Sequence, residues 1–169
     1  LISTKQLIAH VNGVGNAVLV TGNAVGNTLY TGPGAGAGAT ASSVVADLID
    51  LARYGLAGAT VPPVAPLGYL TPRTDLKVLS IEEITSEYYL RISVIDKLGM
   101  LSKISACLQT AGISIEAVIQ HEPVSQIVPI VILTDAALES DLDKAIIAIE
   151  ALDGVTDKIH RIRVAELSD

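Results

Sequence analysis

The sequence predicts an α+β protein in two parts: a short hairpin followed by a helix, then a βαββαβ unit built on an antiparallel sheet. Three observations predict it. Alternating glycines, Gly32, Gly34, Gly36 and Gly38, stand between a strand-like stretch and an amphipathic one. Pro62, Pro63, Pro66 and Pro72, with Gly55, Gly58 and Gly68, interrupt the chain in its middle and forbid a long helix or central strand there. Beyond them, apolar residues recur first with the period of a strand and then with that of a helix, twice over.

In the first part, residues 16–21 and 24–30 read as two strands joined across Gly22-Asn23, a pair suited to a tight hairpin turn. The glycine run follows, and Thr40 is placed to cap a helix over residues 41–53, where Val44, Val45, Leu48, Ile49 and Ala52 form one stripe. This part, residues 1–54, is too small and too rich in glycine to bury a core alone, so it needs a partner surface. Residues 55–86 read as a connector, partly extended and docked through Val61, Val64, Leu67 and Tyr69. Glu82, Glu83 and Glu87 form a solvated approach to the next strand.

In the second part, residues 87–169, the stretch 89–95 alternates as a half-buried strand does. Leu101, Ile104, Leu108 and Ala111 then stripe a helix ended by Gly112. Residues 113–120 and 130–133 read as strands separated by residues 121–125. Leu138, Leu142, Ala145, Ile149 and Leu152 stripe a second helix closed by Asp153-Gly154, and residues 159–164 make a last strand. The order is that of a ferredoxin-like sheet with both helices on one face. Pro129 conflicts with a central strand unless it starts the strand or sits at a bulge.

Composition narrows the function. The chain has 169 residues, half of them hydrophobic, with no Phe or Trp, so its core must be aliphatic. A net charge of −7 leaves no basic stripe for a nucleic-acid partner. One cysteine, Cys107, permits no internal disulfide, suits a reducing cytoplasm, and reads as a small buried thiol. No apolar run reaches membrane-spanning length. His10, His121 and His160 lack metal-ligand spacing with each other or with Cys107, so no metal site is expected. Arg161 and Arg163 alternate on one face of the last strand, read as its solvent side. The chain begins at Leu1 without a methionine and reads as part of a longer protein.

Two segments hold candidate chemistry. In the glycine run no Cβ stands between the backbone and a flat or anionic ligand, and the following helix directs its positive end to the same place; a flexible glycine linker is the alternative. In Asp96-Lys-Leu-Gly-Met-Leu101, Gly99 lets the chain turn into a helix and leaves amides free for a carboxylate, while Asp96 can take an ammonium. A free amino acid has both groups. A plain turn with Asp96 as a solvated cap is the alternative here.

Together these features resemble a known pair of domains. The second part resembles an ACT domain, a small-molecule regulatory module. The first resembles the end of the catalytic region of homoserine dehydrogenase through Val11-Asn-Gly-Val-Gly-Asn-Ala-Val18, Gly22-Asn-Ala-Val-Gly26, Tyr30-Thr-Gly-Pro-Gly-Ala-Gly36 and Thr40-Ala-Ser-Ser-Val-Val-Ala-Asp47. The resemblance implies NAD(P)-linked interconversion of aspartate semialdehyde and homoserine, on the route to threonine and methionine. It places the cofactor near Gly36, with Gly34 and Thr40 as neighbours. It places an effector, threonine, at Asp96, Gly99, Met100 and Leu101, with Ile115 and Gln120 reaching it from the next strand. It also implies a homo-oligomer paired through both parts. The family's catalytic lysine and nucleotide-binding fold lie upstream of Leu1, and Lys5 is outside the catalytic phrase, so this chain alone is expected to bind no cofactor and to be inactive. A stand-alone amino-acid sensor or dimerisation module is the rival reading.

Overall fold

The computed structural model describes residues 1–56, 77–120 and 126–165, and contacts divide the chain into two units. One lies within residues 3–77; the other begins at Val78 and includes Leu1 and Ile2. The connector residues proposed to dock, Val61 to Tyr69, and the loop at residues 121–125 lie outside the described residues.

The first unit is a two-stranded antiparallel hairpin, β1 (Gly15–Gly22) and β2 (Gly26–Pro33), followed by α1 (Ala37–Leu56). The turn differs from the one expected. Gly22 pairs with Gly26, so the loop is Asn23, Ala24 and Val25 and not a two-residue turn at Gly22-Asn23. Gly26 leaves that loop at φ +74°, the left-handed conformation that three-residue hairpin loops require. The helix also starts earlier than its stripe predicts. Gly36, at φ +124°, accepts the Thr40 N–H on its carbonyl at 2.9 Å, and the helix is under way from Ala37. Thr40 therefore stands inside the first turn and is not the cap. At its other end α1 takes in Gly55 and Leu56, the first residues of the expected connector. No described residue before Leu56 is buried. The apolar stripe of α1 lies open, with Val44, Val45, Leu48 and Ile49 each about half exposed.

The second unit has the βαββαβ order: β3 (Thr85–Ile95), α2 (Met100–Thr110), β4 (Ile115–Gln120), β5 (Ile127–Leu138), α3 (Glu139–Glu150) and β6 (His160–Val164). The sheet is antiparallel in the order β4-β5-β3-β6. Ahead of it, a single turn of 3-10 helix (Ile81–Glu83) is closed by the Ser80 N–H, which donates to the Glu83 carboxylate at 2.9 Å. Alternate residues of β3, namely Tyr88, Leu90, Ile92 and Val94, face the helices together with Ile130 and Ile132 of β5. Onto them α2 lays Met100, Ile104 and Leu108, and α3 lays Leu142, Ala145 and Ile149. The inward stripe of α2 begins at Met100 and not at Leu101, which is 37% exposed, because spacing by four from Ile104 selects Met100. Among described residues, every buried hydrophobic side chain belongs to this unit.

Pro129 sits in β5, which is central in the sheet, opposite Ser93 of β3. The Ser93 carbonyl accepts from Thr156 N at 2.9 Å, on the β6 side. Ser93 and Pro129 are therefore a pair without mutual hydrogen bonds, and the proline nitrogen points toward β4. The β4 ladder ends at Gln120 opposite Ile130, one step short of Pro129. Among the described residues, proline thus occupies a position of β5 with no β4 partner, and no described ladder bond is lost there.

Candidate functional site

The loop from β3 to α2 bounds a cleft of about 220 Å³ in the second unit. Val94, Val128 and Ile130 give it an apolar floor, and Asp96, Gly99, Met100, Leu101 and Gln120 line the rest. The loop turns because Gly99 adopts φ +84° as the N-cap of α2, and its carbonyl accepts the Lys103 N–H at 3.0 Å. No side chain caps this helix start; the Met100 N–H donates to the Lys97 carbonyl at 3.4 Å, and the Leu101 and Ser102 amides lie in the first turn, ahead of the first intrahelical acceptor. The Asp96 N–H is bound to the Gln126 carbonyl at 3.0 Å, while its side chain is exposed. A polar rim with both a carboxylate and free amides, above an apolar floor, matches what a small amino acid presents. Met100 is backed by Gly154, where a Cβ would meet its sulfur at 3.0 Å.

Five of the six expected effector residues meet in this cleft. Ile115 does not. It pairs with Thr134 at the far end of β4, whereas Gln120 pairs with Ile130 at the cleft, and five strand steps separate the two by roughly 17 Å. Ile115 packs against the core instead.

In the first unit the glycines divide by physical reason. The Gly34 N–H donates to the Val14 carbonyl at 2.6 Å, and a Cβ there would enter the carboxamide of Asn16. A side chain at Gly34 would therefore have to displace the exposed carboxamide of Asn16. Gly36 has the positive φ that starts α1, and its Cβ direction is open for at least 4 Å. The amides of Ala37, Gly38 and Ala39 follow at the helix start, where the geometry leaves them without intrahelical acceptors. The Thr40 N–H is spent on Gly36, which leaves Thr40 only its exposed hydroxyl for a ligand.

A group that sequence reasoning missed lies under β6. Glu139, the first residue of α3, is 1% exposed. Its Oε2 accepts from Tyr88 Oη at 2.8 Å and from Arg163 Nε at 2.8 Å, and Arg161 Nη1 lies 2.9 Å from Oε1. Arg161 also pairs with Asp143. The two arginines therefore face the helices and not the solvent side of the sheet, as expected from their alternation alone. Burial, with the hydrogen bond and charge of Glu139, pushes the Tyr88 phenol above its usual range, and Glu139 raises Arg163. The signal was present: period two puts Arg161 and Arg163 on one face, and an aliphatic layer behind them demands an anion. Among the described residues, no group of three or more His, Cys, Asp and Glu could hold a metal ion.

Residues 1–49 match the family model for homoserine dehydrogenase, and residues 88–154 match that for the ACT domain. The chain belongs to the homoserine dehydrogenase family, as its C-terminal region. Homoserine dehydrogenase of Pseudomonas aeruginosa is 44% identical over 99% of this chain and 39% of its own length. That of Neisseria gonorrhoeae is 45% identical over 100% of the chain and 39% of its own. The crystal structure of a homoserine dehydrogenase from Thiobacillus denitrificans superposes with a TM-score of 0.78 at 40% identity, covering 99% of this chain and 38% of that one. The chain thus spans about two fifths of the length of these homoserine dehydrogenases. Among the described residues, no helix is long and apolar enough to cross a membrane.

Proposed function

We propose that this chain is the C-terminal part of an enzyme that interconverts aspartate semialdehyde and homoserine with NAD(P), in the cytoplasm, on the route to threonine and methionine. The observation that carries the reading is the pairing, in one chain and in order, of the two family matches with a first unit in which no described residue is buried. A helix with its whole apolar stripe half exposed is stable only when another surface covers it. In this reading that surface is the upstream nucleotide-binding lobe, which also supplies the catalytic lysine.

The residues of the first unit fit a nicotinamide cofactor at Gly36. Its open Cβ direction admits a flat ring or phosphate, and the amides that start α1 favour negative charge. The bound cofactor supplies or accepts the hydride. Gly34 and Asn16 keep the hairpin rigid beneath it, and Thr40 contributes a hydroxyl at the margin. In the second unit, the Asp96–Leu101 cleft takes an amino-acid effector, threonine, with its carboxylate on the first-turn amides of α2 and its ammonium on Asp96. Gln120 approaches from β4. The complete protein is a homo-oligomer joined through both units.

The test has two arms. The full-length protein should oxidise NADPH with aspartate semialdehyde and be inhibited by threonine, and threonine should raise the melting temperature of this 169-residue chain. Thermal stabilisation by threonine with no oxidation by the full-length protein would replace this reading with that of an amino-acid sensor. Oxidation without any response to threonine would reduce the second unit to a dimerisation module.

A further inference from the structure

We propose that β6 is a separable strand held by charge: an acidic edge of α3 clamps three cations of the β6 segment, and Glu139 is the fixed jaw of that clamp. No residue of β6 is buried, and its central apolar residue, Ile162, is 45% exposed. The contrast with β5 is sharp, since β5 puts Val128, Ile130, Val131, Ile132 and Thr134 out of water. Apolar burial therefore does little to keep β6 in the sheet. Ion pairs line up along it instead. Arg163 and Arg161 reach Glu139, Arg161 also reaches Asp143, and Lys158 reaches Glu150, whose Oε1 accepts the Ile159 N–H at 2.9 Å. Glu150 is held below the usual carboxylate range by Lys158 and that amide.

The two halves of the clamp differ. Glu139 is positioned without β6: it opens α3, its N–H donates to the Ile84 carbonyl at 2.8 Å, and Tyr88 of β3 holds its carboxylate. The arginine side chains are 32% and 44% exposed, so water reaches the cations but not the anion. When β6 leaves, its arginines are solvated while Glu139, which they had covered, keeps only Tyr88 as a partner, and the loss of its paired cations draws the strand back. A strand fixed in this way opens as its own unit, below global unfolding. Its departure frees the edge of β3 from Glu87 to Arg91, which can then pair with an added strand.

Hydrogen exchange read by mass spectrometry on the full 169-residue chain tests this. Glu139→Gln should speed exchange at residues 160–164 at least tenfold while β5 and α2 keep their wild-type rates. Arg161→Gln, which removes only a rim cation, should give a smaller increase at the same residues. Raising the salt concentration should speed wild-type exchange at 160–164 selectively. Equal acceleration across the whole unit in Glu139→Gln and Arg161→Gln would make the cluster a general stability element and overturn the proposal. Unchanged exchange at 160–164 in both variants would overturn it as well.

Discussion

Replacing Leu48 by alanine should cost little in this chain and much more in the complete protein. Leu48 lies on the open stripe of α1 and is 59% exposed. Truncating it here removes little that is out of water, so stability should change by no more than about 0.5 kcal/mol. Covering the exposed remainder of a leucine, whose full burial is worth about 1.5–3 kcal/mol, adds roughly 1–2 kcal/mol. With the cavity left behind, Leu48→Ala in the complete protein should cost about 2–4 kcal/mol. Leu108→Ala is the internal standard. Leu108 is fully buried in the second unit, so its truncation should cost about 2–5 kcal/mol in both contexts. Urea unfolding of the two variants in both contexts reads the four values as shifts in midpoint at constant slope. An equal, small effect of Leu48→Ala in both contexts would refute the idea that a missing lobe covers α1.

Other outcomes follow from single residues. Gly34→Ala should move the exposed Asn16 carboxamide aside and leave the strand signal of the first unit nearly unchanged, whereas Gly36→Ala should cost about 1–3 kcal/mol through its positive φ alone. Gly154→Ala combines φ +110° with pressure on Met100; it should weaken threonine binding more than it lowers the melting temperature, as calorimetry on the variant would show. For Glu150 the sign is set by its lowered folded-state pKa: its contribution is present above the unfolded carboxylate range and disappears as pH falls through the folded value. Glu150→Gln should therefore be less stable than wild type at pH 7 and converge with it in acid, checked by urea midpoints from pH 7 down to about 3.

The second unit was the more legible in sequence because burial enforces its periods. Tyr88, Leu90, Ile92 and Val94 alternate against the helices, and Ile104 and Leu108 repeat at helical spacing on the same core. In the first unit no described residue is buried, so local backbone preference decides. There Gly26 and Gly36, through positive φ, moved the hairpin turn and the helix start away from where side-chain pattern put them. Pro129 looked like a contradiction because pairing length is invisible in sequence: only the end of β4 at Gln120 shows which side of β5 is free. Arg161 and Arg163 were placed on the right strand with the right period but on the wrong face, since alternation fixes two faces without saying which one holds the buried carboxylate. Ile115 was misplaced for a related reason, as strand direction and not composition decides which end of β4 reaches the cleft.

The most direct measurement is NADPH oxidation with aspartate semialdehyde by the full-length protein, compared with a form ending at residue 77. Oxidation is expected in both, with threonine inhibition only in the longer form. Absence of oxidation by the full-length protein under any cofactor would contradict the proposed function.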